Sequence, residues 1–346
     1  MIQPANLISV PKRMLFALLG FGMLMAPAQA EVLRVGLAMP QGMEEIAYLN
    51  GMFERFKHEV ESSSDGALKV QLYYGGVLGK PDDRLNQMRR NVIQMSDASE
   101  GNYATIYRDI QVFSIPYLFQ DRDAALAVLD GPVGEQVAEG LRIKTGIRVL
   151  GWWESAGFKH YSANAPLQNL ADFRGRKFRV MSAVFSIPIT AMGGIAISLP
   201  MNELYLSLKT GVVDGQNNAV AVFNMQKLHE VQSHISLDAH AYSFGPLGIN
   251  DAFFRSLSEE KKHIVLAAAQ RAIAWNRRMS RQIDEAAIAL ARSKGVRFIE
   301  LSEQQRTRLA ETAQPATIEW LRGNIDHPSL IEAVLEETAR VAGRPD

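Results

Sequence analysis

The chain has 346 residues, 47% hydrophobic and 21% charged, an ordinary globular balance with room for two domains. Its 37 basic and 37 acidic residues leave no global positive field to hold nucleic acid, and no run of like charge marks a disordered tail. There is no cysteine, which excludes a disulfide framework and a lipid-bearing N-terminal cysteine.

Lys12 and Arg13 precede an apolar run, Met14 to Met25, and Ala28-Gln29-Ala30 follows with small residues at cleavage spacing. This predicts a secretory signal peptide over residues 1–30, cleaved after Ala30, with the mature protein in the periplasm. The run is short for a membrane span; an uncleaved anchor is the alternative. Leu33–Leu37 then predicts a strand, and Ile46, Leu49, Phe53, Phe56 and Val60 form one helical apolar stripe. Leu68, Val70 and Leu72 alternate as a second strand, Leu85, Met88 and Val92 mark a helix, and Ile93–Ala98 a short strand. Helices are predicted near Arg122–Leu129 and Val133–Lys144, with Gly146 as a C-cap, before a buried strand at Arg148–Trp153. The alternation predicts a parallel sheet covered on both faces.

The same alternation restarts after Asn169, with candidate strands at Lys177–Val180, Val212–Asp214, Ile235–Leu237 and Phe244–Asn250, and a helix from about Asn202 to Lys209. Ser258–Lys294 is a helical stretch without Gly or Pro. At 1.5 Å per residue it reaches about 50 Å, more than one small domain needs, so it is expected to kink or to bridge two domains. Helical runs near Ser302–Arg322 and Pro328–Val341 end the chain.

Within Gly175–Asn218, Arg179 stands in an otherwise apolar strand. A charge there needs an anion or water, because an unpaired buried charge is costly. A ligand carboxylate is one such anion; a structural salt bridge to a protein acid is the other. Asp97-Ala98-Ser99-Glu100-Gly101 stands at the end of a predicted strand, where open α/β sheets bind ligands.

The motifs Asp172-Phe-Arg-Gly-Arg-Lys-Phe-Arg179-Val180, Asn202-Glu-Leu-Tyr205 and Gly211-Val-Val-Asp-Gly-Gln-Asn-Asn218, followed by Glu230-Val-Gln232 and His240-Ala-Tyr242, resemble in order the extracytoplasmic solute receptors of TRAP transporters, the DctP-type family. Leu78-Gly79-Lys80 and Pro116-Tyr117-Leu118-Phe119 also fit, so the resemblance covers nearly the whole mature chain. It implies an α/β periplasmic binding protein: two α/β lobes, hinge segments, a central ligand cleft and a long helix spanning both. The expected partition is 31–156 plus 244–283 for lobe I and 157–243 plus 284–346 for lobe II. It implies delivery of a small organic carboxylate, of C4-dicarboxylate or sugar-acid type, to the TRAP membrane permease subunits. No enzyme activity, cofactor or metal is expected, nor a nucleic-acid partner, and the receptor should be a monomer or weak dimer.

The resemblance makes Arg179 the carboxylate-gripping arginine, whose planar fork fits both oxygens. It makes Asn218 a ligand contact, against a turn or cap asparagine. Gly157-Phe158-Lys159 departs from a Gly-Phe-Arg pattern: Lys159 keeps the charge without the fork, or is a solvated surface lysine. Met201 stands near where relatives place an aromatic on the ligand; a core methionine is the alternative. Glu100 and Ser99 are candidates from the first lobe, Glu100 as an acceptor for a ligand hydroxyl or amine or as a solvated helix-start acid. Trp152 and Trp153 belong to the core or cleft wall.

Two other classes stay open. Trp153-Glu154-Ser155-Ala156-Gly157 resembles a nucleophile elbow, which would make a secreted α/β serine hydrolase using Ser155, although Trp153 replaces the first glycine. The fold would equally serve a ligand sensor for a membrane signalling protein. Gly75–Lys80 is no P-loop, and His229-Glu230 has no second histidine at zincin spacing.

Overall fold

The structure, a computed structural model, describes Met1, residues 30–42 and residues 47–343. The expected signal peptide up to Gln29, and Ile46 of the first apolar stripe, lie outside the described residues.

Nine strands form one mixed sheet: β1 Glu31–Gly36, β2 Leu68–Tyr73, β3 Met95–Ser96, β4 Ile147–Ala163, β5 Lys177–Val180, β6 Ile195–Ser198, β7 Gly215–Asn218, β8 His234–Asn250 and β9 Arg297–Glu300. The helices are α1 Ala47–Ser63, α2 Pro81–Arg89, α3 Glu100–Tyr103, α4 Arg122–Leu129, α5 Pro132–Thr145, α6 Leu170–Phe173, α7 Ala183–Ala191, α8 Met201–Lys209, α9 Val220–Met225, α10 Asp251–Ser256, α11 Glu259–Ser293, α12 Glu303–Asn324 and α13 Ser329–Ala342. Spatial order is β2-β1-β3-β8-β4-β7-β5-β6, with β9 also on β8.

The sheet is not the all-parallel one that alternation predicts. β1 lies parallel to β2 and β3, and β5 to β6 and β7, but the 17-residue strands β4 and β8 run antiparallel to each other from Ile147 opposite Asn250 to Ala163 opposite His234. One end of this ribbon carries β3, β1 and β2, and the other carries β7, β5, β6 and β9. Two lobes therefore share two continuous strands. β8 replaces two separate predicted strands because Asp238 and His240, too polar for a buried strand by pattern, are satisfied inside it. Asp238 accepts from the Tyr117 hydroxyl at 3.0 Å and from the Tyr161 amide at 3.2 Å, and lies 2.9 Å from His240 Nδ1.

The pairing of β4 with β8 slips between Glu154 and Gly157. Gly157 has φ +67°, and a Cβ there would lie 2.6 Å from an Asp284 oxygen, so this bend requires glycine.

Helix α11 bridges the lobes, as its length suggests. Its first half puts Val265, Ala268, Ala269 and Ala272 into a core with Leu33, Val35, Phe53 and Phe56. Its last turns put Ala287 and Ala291 into a second core with Leu204, Phe223 and Leu228. Between them Asn276, Ser280 and Asp284 form a polar stripe at i, i+4, i+8 that faces the β4 bend. Helix α12 packs on α7, and α13 returns to α4 and α5.

Candidate functional site

β5 alternates cleanly. Phe178 and Val180 enter the core with Phe173, which sends Arg179 to the opposite face, in register with Gln216 of β7. Gln216 and Asn218 share that face two residues apart. Gln216 donates to Ser162 Oγ at 2.7 Å, and Asn218 donates to Gln216. The expected strand at Val212–Asp214 is displaced to Gly215–Asn218, where three buried polar side chains are satisfied by Ser162, His240 and one another rather than presenting an apolar stripe.

Arg179 is 4% exposed, and its Nε donates to the Leu199 carbonyl at 2.9 Å. Among the described residues it has no acid within salt-bridge distance, and burial alone holds its pKa below the ordinary arginine value. No described acid accounts for it by a structural salt bridge.

Beside this face lies a cavity of about 370 Å³ at the junction of the lobes. Ser99, Glu100, Lys159, Met201 and Asn218 all line it. Arg179 is not part of the lining; the cavity touches Met181, two residues on, and Asn218, on the neighbouring strand. Sequence reasoning missed three further wall methionines, Met39, Met181 and Met225, which carry no periodic signal. Trp153 forms wall and packs edge-on to Phe53, whereas Trp152 is core, between Phe113 and Phe244.

Lys159 is not a surface lysine. It is 5% exposed, its Nζ lies 3.0 Å from Glu100 Oε1 and 4.3 Å from the Phe185 ring centroid. Glu100 is 4% exposed, and its Oε2 has no hydrogen-bond partner among the described residues. Ser99 faces Asn102 Oδ1 at 3.3 Å, a helix-start contact. Arg84 and Asp97 form a second buried pair at 2.7 Å. Burial lifts the Asp97 carboxyl above its ordinary value, with Arg84 pulling the other way.

Ser155 also lines the cavity, and its carbonyl accepts from Tyr48. No histidine among the described residues bonds Ser155: His160 accepts from Ala239, and His240 is held by Asp238 and Asn217. The nucleophile–base pair a hydrolase needs is not formed.

Behind the bend, Glu154 is fully buried. It accepts from Tyr242 and Ser280, Arg122 lies 3.3 Å away, and Arg122 also reaches Asp284. Burial, opposed by Arg122 and reinforced by Glu154, pushes the Asp284 carboxyl up to about 6 from 3.8. A raised acid pKa stabilises the fold fully below pH 4, and that contribution fades as pH rises through 6. Asp284→Asn should therefore gain about 1–2 kcal/mol relative to wild type between pH 4.5 and 7, by urea denaturation. Parallel pH profiles for the two proteins would rule this out.

Among the described residues no helix is long and apolar enough to cross a membrane. The profile of the family described as DctP, bacterial extracellular solute-binding protein, family 7, matches residues 44–323. The C4-dicarboxylate-binding periplasmic protein DctP of Rhodobacter capsulatus is 29% identical, over 75% of this chain and 79% of its own. A TRAP periplasmic solute-binding protein from Ochrobactrum anthropi, with its C-terminus bound in the ligand pocket, superposes with TM-score 0.84 at 28% identity, covering 91% of this chain and 96% of its own. The sugar-acid-binding protein of Advenella mimigardefordensis, in complex with galactonate, gives TM-score 0.78 at 28% identity, covering 90% and 99%.

Proposed function

We propose a function from one premise: this chain belongs to family 7 of the bacterial extracellular solute-binding proteins. It is a receptor and not an enzyme. It binds a small organic carboxylate in the cleft between two lobes and delivers it to the membrane permease of a TRAP transporter. The relatives' ligands, a C4-dicarboxylate in one and galactonate in another, are both small organic carboxylates.

The observation that carries this reading is Arg179, a buried guanidinium beside a cavity at the lobe junction, with no acid partner among the described residues. Arg179 supplies the charge and the bidentate direction, and Asn218 adds an amide to the same carboxylate. Met201 packs on the ligand body, Lys159 and Glu100 meet its far end, and Ser99 shapes the wall. Ligand contacts to both lobes exist together only when the lobes are closed, so binding favours the closed form. Lobe I is 31–156 plus 244–283 and lobe II 157–243 plus 284–346, with α13 packing back on the first. Residues 1–30 are the signal peptide, and the mature receptor works in the periplasm as a monomer or weak dimer.

A thermal-shift screen over organic acids tests the reading. A cognate acid at a hundredfold excess over its Kd should add about 2.7 kcal/mol of stability. No shift with any organic acid would remove the carboxylate-receptor reading.

A further inference from the structure

Resting on that reading of the cleft, we infer that its ligand is a monocarboxylate with a hydroxyl group and an apolar body, and that the buried Glu100–Lys159 pair selects against a second carboxylate. Among the described residues the cavity wall carries four charged side chains, Arg84, Asp97, Glu100 and Lys159, and they cancel in two pairs at 2.7 and 3.0 Å. Arg179, on the strand beside the cavity, is the one cation here that no acid offsets among the described residues. Counted over the described residues, the site is thus short of one negative charge, not two.

A dianion would direct its second carboxylate at Lys159. That lysine is already neutralised by Glu100, stacked over Phe185 and close to Met181 at 3.8 Å. The incoming carboxylate would meet Glu100 Oε2, a buried acceptor without a donor. Two like charges in a water-poor pocket repel strongly, and neither finds a second cation. A hydroxyl in the same place donates to that oxygen and removes its unsatisfied state.

The remaining wall sets the body of the ligand. Met39, Met181, Met201 and Met225 present four thioether side chains, with Trp153 and Val222 between lobes. Of the four hydroxyls that the described residues place at the wall, two are already committed, Tyr48 to the Ser155 carbonyl at 2.8 Å and Ser99 to Asn102, which leaves those of Ser155 and Ser243, too few to serve a sugar acid. A polyhydroxylated sugar acid would bury hydroxyls against sulfur and methylene groups, whereas an alkyl or aryl chain fits them and methionine adapts to its shape.

Calorimetric titration of the wild-type receptor with four probes decides the point: 2-hydroxy-4-methylpentanoate, 3-phenyllactate, succinate and D-galactonate. One of the two hydroxy acids should bind at least tenfold more tightly than either succinate or galactonate. Tighter binding of succinate or galactonate overturns the inference and leaves the cleft as a carboxylate site. Binding by none of the four overturns the inference, while the reading it rests on falls only if the wider organic-acid screen is also silent. Glu100→Gln, with its unligated melting point as a folding control, should then release Lys159 and raise succinate affinity at least tenfold. An unchanged ratio of succinate to hydroxy-acid affinity in that variant overturns the role of the pair.

Discussion

Replacing Arg179 by methionine is expected to abolish useful ligand binding while the unligated protein melts at the same temperature or higher. Removing one partner of a buried charge pair costs about 2–5 kcal/mol, a rise in Kd of roughly 30- to 5,000-fold. The effect on the unligated protein runs the other way. Arg179 is 4% exposed, has only the Leu199 carbonyl as a partner among the described residues, and is held below the ordinary arginine pKa by burial. Its charge is a cost that the ligand offsets, so an unbranched apolar side chain relieves it. Arg179→Lys should fall between, keeping the charge and losing the fork. Calorimetric titration beside thermal melts of the free protein checks both halves. A methionine variant that binds like wild type would show that the carboxylate is gripped elsewhere.

Glu154→Ala is expected to be the most damaging single change to the fold. Glu154 is fully buried where β4 bends between the lobes, and it gathers Tyr242 from β8, Ser280 from α11 and Arg122 from α4. Truncation leaves two buried hydroxyls without an acceptor and weakens the hold on Arg122, for a loss of about 3–5 kcal/mol. Glu154→Gln keeps an acceptor of the same shape and should cost less, about 1–2 kcal/mol. It should also lower the Asp284 pKa, because the Glu154 charge helps to raise it. Urea denaturation of both variants gives the comparison; an alanine variant as stable as wild type would show that the lobes are joined without this cluster.

Much of the fold was legible in the chain. Strand β5, helix α4 and the bridging helix α11 fall where periodicity and the Gly and Pro punctuation put them, and Gly146 caps α5 in the left-handed conformation. Strands β6 and β9 were missed because each has only four residues, too few to show a period, and their side chains are exposed or half-buried. Val92, counted in an apolar helical stripe, instead lies beyond α2 and is exposed. The polar stripe Asn276, Ser280, Asp284 was present at helical spacing and unread, since nothing in the helix itself says that a buried glutamate waits opposite.

Local pattern determined the elements, the two-part alternation, the bridging helix and the presence of an arginine in an apolar strand, because each depends on residues a few positions apart. Only the tertiary structure decided that Arg179 pairs with no acid among the described residues, that Lys159 is buried and paired with Glu100, and that four scattered methionines meet in one wall. Charge balance and burial are properties of neighbours in space. Glu100 and Lys159 are 59 residues apart in the chain and 3.0 Å apart in the fold, and no periodicity carries that information.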